Sequence, residues 1–383
     1  MEALLYCACG LDVHKDIIEA CIMRGVDAEP EIIRDSFGAT KPELQRLMQW
    51  LLDNDCFTVA MESTGVYWKP IYQILESESV YLEQIWVVNA HHMRNLPGRK
   101  SDVKDAEWIA KLLRHGLLEK SFVPCIAIRD LREAARLRRT FVQERCRYVN
   151  RLEKFLQTHG FKFSSVMSDI LCMSGKKLLH ILCETGTLTQ KDVQENCRRL
   201  RRSSDEIAAA VCGNLTVAER RLLARLLHKL DSCQEDIDGI LEDMRLLCSP
   251  FQEQLAIVDS IPGFDQESSM EIIAEISAAP QEHFSSPQRL CKWAGVVPRN
   301  DETAKKIKSK KILHGNTYVK SILCQAAWAA VKVRGSPFHN WFWSHQRKIG
   351  QKKAIIAIAR KLLMLIYLLL NTGQMYQQPG TET

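Results

Sequence analysis

Four acidic residues near the amino terminus have the side chains and the spacing to bind divalent metal ions. Asp12 lies at the end of the first apolar segment, and Glu62 directly follows the short apolar segment Phe57–Met61. Asp102 and Asp105 are three residues apart in a helical pattern, so both project from one helix face. Two-metal phosphoryl transfer needs several carboxylates, because they must bridge and balance ions that lie about 3.5–4 Å apart. Magnesium prefers such oxygen ligands, and the pattern predicts a site for two Mg²⁺ ions.

Purely structural roles are the alternative for each of these acids. An acid at a strand end often forms a turn, and an aspartate at a helix start is stabilised by the helix dipole. The group is more specific than its members, because Asp12 and Glu62 both stand at the carboxyl ends of predicted strands. Ligands bind at that edge of open α/β sheets. The residue types and spacing alone leave both interpretations open.

The order of the predicted elements indicates three regions. Strands are expected at Leu4–Val13, Ile17–Met23, Glu31–Phe37, Phe57–Met61 and Gln84–Val88, with helices over 42–53 and 102–118. Two long helical patterns follow, over 130–159 and 217–247, where proline and glycine are rare. We therefore expect an α/β domain over 1–122, an elongated helical middle resembling a coiled coil over 123–254, and a mainly α domain over 255–375.

Composition excludes several classes of protein. A hydrophobic content of 46% and a charged content of 26% argue against large-scale disorder. The 14 cysteines include no CxxC pair, which gives little support to a zinc site and fits a reducing cytoplasm. No secretory signal opens the chain. The apolar run Leu362–Leu370 is too short to span a bilayer, so we expect a buried helix there and no membrane partner.

Longer motifs surround the four acids and recur in the last third of the chain. They are Gly10-Leu11-Asp12-Val13-His14-Lys15-Asp16, Met61-Glu62-Ser63-Thr64-Gly65-Val66-Tyr67-Trp68, Gly98-Arg99-Lys100-Ser101-Asp102-Val103-Lys104-Asp105-Ala106-Glu107-Trp108-Ile109-Ala110, Ile261-Pro262-Gly263, Ala274-Glu275-Ile276, Phe284-Ser285-Ser286, Trp293-Ala294-Gly295-Val296-Val297-Pro298 and His314-Gly315-Asn316. In this order they resemble the DEDD transposases of bacterial insertion sequences, enzymes with a RuvC-like domain that are guided by a bridge RNA. The middle helices match this family only loosely.

The resemblance implies a fold, a site and partners. The fold is an RNase H-like (RuvC-like) amino-terminal domain, and its metal-binding tetrad is Asp12, Glu62, Asp102 and Asp105. The partners are DNA, as element ends and target, and a guide RNA. A homo-oligomer, dimer or tetramer, is also implied, with the helical middle joining the subunits and the two halves of a site coming from different subunits. The location is the bacterial cytoplasm, at the nucleoid.

The family's nucleophile is a serine in the loop after the Trp-Ala-Gly motif, which holds the broken DNA strand as a phosphoserine. Such a covalent intermediate conserves bond energy for rejoining. Here Thr303 stands where the serine is usual, and Lys305 where glycine is common. Threonine keeps the hydroxyl, but its β-methyl group stiffens and crowds it. Thr303 as nucleophile, Ser309 as the alternative hydroxyl, and a loop without a nucleophile all stay open.

Two basic clusters predict contacts with nucleic-acid phosphates. The first contains seven arginines against Glu133 and Glu144, and its members are Arg132, Arg136, Arg138, Arg139, Arg145, Arg147 and Arg151. The second follows Thr303 and consists of Lys305, Lys306, Lys308, Lys310 and Lys311. Arginine donates paired hydrogen bonds to phosphate, and lysines beside a nucleophile would hold the scissile phosphate. A merely solvated surface is the alternative for both clusters.

Two further motifs carry weaker signals. The turn at 261–264 resembles the tip of a helix-hairpin-helix, whose backbone amides can meet a phosphate, although Pro-Gly occurs in any turn. The aromatic residues Trp328, Phe338, Trp341, Phe342 and Trp343 are interpreted as core rather than as a surface for base stacking.

Three functions are compatible with these observations. The leading hypothesis is a transposase or recombinase that cuts and rejoins DNA with the magnesium-binding tetrad and a hydroxyl nucleophile, guided by RNA. The second is a RuvC-like nuclease, such as a junction resolvase, that uses water and needs no hydroxyl. The third is a non-catalytic nucleic-acid-binding remnant, against which the intact tetrad argues.

Overall fold

The computed structural model describes residues 3–26, 29–63, 65–77, 82, 84–89, 105–197, 202–298, 301–303, 306–309 and 312–378. In the segments 301–303 and 306–309 only the backbone is described. The chain divides into two compact units between Val123 and Pro124.

A five-stranded mixed sheet forms the centre of the first unit. Its strands are β1 Cys7–Val13, β2 Ile17–Arg24, β3 Glu31–Gly38, β4 Thr58–Glu62 and β5 Gln84–Val88, in the order β3-β2-β1-β4-β5. The first three form an antiparallel meander, and β4 and β5 run parallel to β1. All five predicted strands are present, although β1 begins at Cys7 rather than at Leu4.

Helices cover both faces of this sheet. Helices α1 (Lys41–Asp53) and α2 (Trp68–Ser77) pack against large apolar side chains such as Leu11 and Met61. The opposite face presents small side chains, among them Ala8, Cys21 and Ala60, to helix α3 (Asp105–Arg114). Small residues on the sheet let α3 approach closely, and this approach positions the acidic residues described below.

The second unit begins with two long helices that pack against each other. Helix α4 (Ile126–Thr158) and helix α9 (Val217–Leu247) correspond to the two predicted helical patterns. Between them lie α5 Phe163–Val166, α6 Met173–Thr185, α7 Gln190–Asn196 and α8 Ser204–Val211, with the two-residue strands β6 Thr187–Leu188 and β7 Gly213–Asn214. Helix α9 starts at a capping box, in which Thr216 and Glu219 satisfy each other's backbone N–H groups. Leucines of α4, α6 and α9 form one core here.

Further helices complete the second unit. They are α10 Gln252–Asp259, α11 Gln266–Ile276, α12 Pro287–Ala294, α13 Thr317–Ala330, α14 Pro337–Ile349 and α15 Gln351–Thr372, with strands β8 Asp301–Thr303 and β9 Lys306–Ser309. A short 3-10 turn, Ser249–Phe251, leads from α9 into α10, and α11 packs against α4. The helical middle and the carboxy-terminal region therefore belong to one compact unit.

Helix α15 is a long apolar helix of the second unit. It is the one described helix that is long and apolar enough to cross a membrane, and half of its apolar window is buried within the unit. Its side chains at Ile358, Leu362 and Ile366 are fully buried, and it packs against α12, α13 and α14. This burial is typical of a core helix, as the sequence predicted.

Candidate active site and nucleic-acid interface

Asp12 and Glu62 stand at the same edge of the sheet on neighbouring strands. Strands β1 and β4 are parallel, and their register pairs Gly10 with Ala60 and Leu11 with Met61. Asp12 and Glu62 are the next residues on each strand. Because side chains alternate along a strand, both acids project from the same face as Gly10 and Ala60, which is the face that α3 covers.

Helix α3 runs antiparallel to β1, so its amino terminus lies at the acidic edge. The backbone N–H groups of Leu4 and Leu5 donate to the carbonyl oxygen of Arg114, at the carboxyl end of α3. At Gly10 an added Cβ would lie only 2.1 Å from the carbonyl oxygen of Ala106, in the first turn of α3. Only glycine permits this approach. Asp12 lies two residues further along β1, on the side of the amino-terminal end of α3, whose first residue is Asp105.

A fifth acid, Glu19, lies beside Asp12 and was missed in the sequence. The antiparallel register of β1 and β2 pairs Asp12 directly with Glu19, so both side chains share one face. The Glu19 carboxylate accepts a hydrogen bond from the Ser36 hydroxyl at 3.3 Å. The alternation of Glu19 with the apolar residues Ile18 and Ala20 would have placed it opposite the main core. Pairing it with Asp12 additionally required the hairpin register.

The surroundings of Asp12 suit an oxygen-binding cation. Its side chain is 17% exposed, and its Oδ2 atom lies 3.2 Å from Nε2 of the exposed His14. The acids at this edge offer hard carboxylate oxygens, which fit Mg²⁺ by ligand type. Among the described residues, however, no group of three or more histidine, cysteine or acidic side chains is arranged to hold a metal. Asp102 lies outside the described residues.

The predicted nucleophile lies in a β-hairpin, where the sequence indicated a loop. Strands β8 and β9 pair antiparallel, and Thr303 pairs with Lys306 as the last pair before the hairpin turn. The base of the hairpin is closed by a bridge between Pro298 and Ile312. Ser309, the alternative hydroxyl, pairs with Asp301 near that base. The two candidate hydroxyls therefore stand at opposite ends of one hairpin.

Two glycines fix the base of this hairpin to the helical unit. An added Cβ at Gly315 would lie 2.3 Å from the backbone nitrogen of Gly295, and one at Gly295 would lie 2.7 Å from the nitrogen of Gly315. Gly295 also adopts a left-handed conformation, with φ of 72°. The Trp-Ala-Gly and His-Gly-Asn motifs thus meet backbone to backbone. Of the five lysines near Thr303, Lys306 and Lys308 lie in β9, and Lys305, Lys310 and Lys311 lie outside the described residues.

Arg132 and Arg136 bond to helix α11. Arg136 donates two hydrogen bonds to the carboxylate of Glu275, at 2.7 and 2.9 Å, and Arg132 donates to the backbone oxygens of Ala274 and Glu275. Glu275 is almost fully buried, and its Oε2 atom also accepts from Nδ2 of Asn316 at 2.7 Å. Burial lowers the pKa of Arg132 to about 10. Burial also opposes the charge of Arg136, but the hydrogen bond with Glu275 and the negative charges around Arg136, chiefly that of Glu275, together outweigh burial and raise the pKa of Arg136.

Arg138 is likewise paired with helix α11. Its guanidinium contacts the carboxylates of Glu267 and Glu271, the latter at 3.0 Å. Burial raises the pKa of Glu271, and the nearby Arg138 partly offsets that effect. Glu267, Glu271 and Glu275 are four residues apart, so they line one face of α11. Three of the seven arginines that the sequence assigned to phosphate therefore have acidic partners within the chain.

The other four arginines of α4 are placed differently. Arg147 and Arg151 are exposed, and Arg151 lies over the ring of Tyr148 at 4.8 Å. Arg139 lies 5.0 Å from the ring of Tyr318, and Arg145 is half-buried. Aromatic stacking leaves guanidinium N–H groups at the ring edge available for other acceptors.

The turn at 261–264 joins α10 to α11, as a helix-hairpin-helix tip would. Gly263 has φ of 100°, and a Cβ there would lie 2.3 Å from the carbonyl oxygen of Ala326 in α13. The glycine therefore also serves close packing between two helices.

The aromatic cluster is only partly core. Phe338 and Phe342 are buried, as the sequence indicated, whereas Trp328 and Trp343 are 38% and 55% exposed. For these two tryptophans the core interpretation is wrong, because their positions on α13 and α14 face outward.

Comparison with known proteins agrees with this geometry. A family model for the DEDD transposase of IS110, described as a transposase, matches residues 9–161, and one described as the transposase IS116/IS110/IS902 family matches residues 255–342. Together the matches cover more than half of the chain. None of the curated proteins compared with the chain matches it. The DEDD domain implies an RNase H-like fold, with which the mixed sheet of the first unit is consistent. The chain belongs to the IS110 family of DEDD transposases.

Proposed function

We propose that this transposase cuts and rejoins DNA at a site where Asp12, Glu62, Asp102 and Asp105 bind two Mg²⁺ ions. The observation that carries the proposal is the position of Asp12 and Glu62 on neighbouring parallel strands, under the amino terminus of α3. Magnesium bound there would stabilise the negative charge that develops on the scissile phosphate. The carboxylates hold the ions and orient them relative to the DNA backbone.

The nucleophile in this proposal is the hydroxyl of Thr303. Its oxygen bonds to phosphorus, the bond from phosphorus to a deoxyribose oxygen breaks, and that oxygen leaves with a proton. The threonine hydroxyl gives up its own proton to solvent. The resulting phosphothreonine ester retains the bond energy, so a second deoxyribose hydroxyl can attack it and restore a phosphodiester. The hairpin supports this role, because the segments on either side of it meet backbone to backbone at Gly295 and Gly315.

We assign phosphate contacts to four arginines of α4 that make no salt bridge with α11 and to the five lysines near Thr303. The arginines are Arg139, Arg145, Arg147 and Arg151, and the lysines are Lys305, Lys306, Lys308, Lys310 and Lys311. Their sign of charge supports backbone binding but does not distinguish DNA from RNA. Only the similarity to the family supports a guide RNA as a partner in this proposal.

The alternative function is hydrolysis of DNA by activated water. The threonine at position 303 favours it, because a β-methyl group crowds an attacking oxygen. Both mechanisms need the acidic tetrad, and only strand transfer needs the hydroxyl.

A protein–DNA adduct that survives denaturant distinguishes the two mechanisms. We expect such an adduct with the wild type and with Thr303→Ser, and its loss with Thr303→Ala. Ser309→Ala is the matched control and should retain the adduct. Cleavage without an adduct in the wild type would contradict strand transfer, and an adduct that persists in Thr303→Ala but not in Ser309→Ala would move the nucleophile to Ser309.

The metal assignment is tested by Asp12→Asn against Asp16→Asn. Asp16 is an exposed aspartate in the turn between β1 and β2, close in sequence but outside the acidic face. We expect Mg²⁺-dependent cleavage to be lost only in Asp12→Asn. Equal activity of the two variants would contradict the tetrad.

We also propose that the active form is a homo-oligomer held together by the helical middle. Leu137 and Val142 of α4 are 49% and 36% exposed, which leaves apolar surface for a second copy. Mixing Asp12→Asn with Thr303→Ala protein tests whether tetrad and hydroxyl act from different subunits. Activity should return in the mixture, and a mixture that stays inactive would contradict sharing between subunits.

A further inference from the structure

One long segment in the last third of the chain, residues 303–381, has charged side chains of one formal sign only. From Thr303 to Thr381 there are 14 lysines and arginines and no aspartate or glutamate. Because the whole chain has a net charge of +6, the other residues together carry −8. No cation in this segment can pair with an acid of the same segment. A region of such uniform charge attracts polyanions, whereas a solvated protein surface ordinarily mixes both signs.

Helix α14 presents an exposed tryptophan within this basic region. Trp343 is 55% exposed, while its neighbour Phe342 is 1% exposed and forms part of the core. The two rings meet edge to face, with centroids 5.6 Å apart and planes at 85°. Phe342 therefore anchors the tryptophan without stacking on its ring. On the other side of Phe342 lies Trp328 of α13, 38% exposed, with ring centroids 5.9 Å apart.

The neighbours of Trp343 on the helix surface are polar or basic. His339 and Arg347 are four residues before and after it, so they share its face. Arg347 and Lys348 are exposed in the last turn of α14, and Lys352 and Lys353 are exposed at the start of α15. An exposed indole flanked by cations offers both a stacking surface for a base and charge for the adjoining phosphates.

Trp341, two residues before Trp343, differs from it because its ring makes a stacking contact and a cation contact within the unit. Its ring stacks on His345 with centroids 4.3 Å apart, and the ammonium group of Lys361 lies 4.2 Å from the ring centroid. Desolvation lowers the pKa of Lys361, consistent with an ammonium group that is drawn against the ring. The indole of Trp341 is thus engaged within the unit, and that of Trp343 remains largely exposed to solvent.

We propose that the face of α14 around Trp343 binds single-stranded DNA, with a base stacked on Trp343 and phosphates held by Arg347 and the neighbouring lysines. A surface of uniformly positive charge would by itself bind duplex DNA equally well. The exposed indole favours unpaired DNA, because a base within a duplex presents no free face for stacking. The inference rests on the proposed function only for the source of this DNA, since strand exchange must separate base pairs.

The test measures binding of full-length protein to fluorescent oligothymidylate in the presence of EDTA, where metal-dependent cleavage is absent. We expect Trp343→Ala to raise the Kd by about 5- to 150-fold, the range for loss of one stacked base. Trp343→Phe should recover most of the affinity, because it restores an aromatic face. Tyr6→Ala is the matched control, since Tyr6 is a 73% exposed aromatic residue of the first unit, and it should bind as the wild type does.

A photocrosslink provides a second, independent measurement. Oligothymidylate with 5-iododeoxyuridine in place of thymidine should crosslink to the peptide that contains residues 337–349. A crosslink confined to other peptides would overturn the assignment, and so would a Trp343→Ala variant with unchanged Kd.

Matched duplex DNA and single-stranded RNA complete the experiment. An equal loss of affinity for duplex DNA would show a contact with phosphates rather than stacking, and a loss confined to RNA would exclude DNA as the occupant. Either result overturns the proposal. If no adduct forms but binding still depends on Trp343, the result contradicts the proposed strand transfer. It still supports the proposed single-stranded DNA surface.

Discussion

Replacing Glu275 tests whether the three arginines that contact α11 hold the second unit together rather than bind nucleic acid. The carboxylate accepts two hydrogen bonds from Arg136 and one from Asn316, and Arg132 lies 3.8 Å away. Glu275→Ala removes the acceptor and leaves the guanidinium groups uncompensated. Because the side chain of Glu275 is only 2% exposed, water cannot take its place without reorganisation of the packing.

The expected loss follows from this burial. Removing one partner of a buried ion pair costs about 3–5 kcal/mol of unfolding free energy, mainly through the charge left behind. For a unit of this size that corresponds to a Tm lower by roughly 6–20 °C. Glu275→Gln keeps the shape and part of the hydrogen bonding, so we expect a smaller loss of about 2 kcal/mol.

Glu267→Gln is the matched control, since Glu267 is on the same helix and pairs with Arg138 of the same partner helix. Its side chain is 45% exposed, and an exposed pair contributes about 0–1 kcal/mol. The assay is urea unfolding of the full-length chain, followed by helical circular dichroism. Equal stability of Glu275→Gln and Glu267→Gln would refute the reasoning, because the same replacement is then made at a buried and at an exposed ion pair.

Two further predictions concern close packing at glycines, and a third concerns the partly buried acid Glu271. Gly10→Ala should abolish Mg²⁺-dependent cleavage and cost about 1–3 kcal/mol, because the new methyl group overlaps the backbone of α3; a variant with wild-type cleavage would show that α3 need not lie there. Gly315→Ala should abolish the Thr303 adduct while circular dichroism stays native, since the methyl group forces apart the base of the hairpin at Gly295; unchanged adduct yield would contradict this. Glu271→Gln tests the pH dependence of stability. Burial raises the pKa of Glu271, so the folded state favours the protonated acid, and the stability this contributes is lost as pH rises. Unfolding free energies measured from about pH 4 to about pH 7 should therefore decline for the wild type relative to Glu271→Gln, and a rising difference would show that the ion pair with Arg138 outweighs burial.

Local patterns were sufficient to predict most elements of the fold. Short apolar segments predicted all five strands of the sheet, and long helical patterns with few glycines or prolines predicted α4 and α9, because both signals are local to the chain. The hairpin that carries Thr303 was predicted as a loop. Its strands have three and four residues, too few for periodicity to emerge, and the close contact between Gly295 and Gly315 on either side of it joins residues that are 20 positions apart.

The motifs identified Asp12 and Glu62 as candidates, but spacing in the sequence cannot show that their strands are neighbours. The same limitation hid Glu19, whose proximity to Asp12 depends on the register of a hairpin. A count of charges along α4 could not show that Arg136 and Arg138 contact acids of α11, because those acids are 139 and 133 residues away in the sequence.

What the sequence determined by itself was the set of chemical groups: oxygen ligands at strand ends, a hydroxyl beside lysines, and a segment over 303–381 without acids. Only the tertiary structure decided which of these groups meet and which charges are already neutralised. The physical reason is that periodicity and charge are properties of a short stretch of chain. Pairing, burial and exposure arise from packing between stretches that are far apart in sequence.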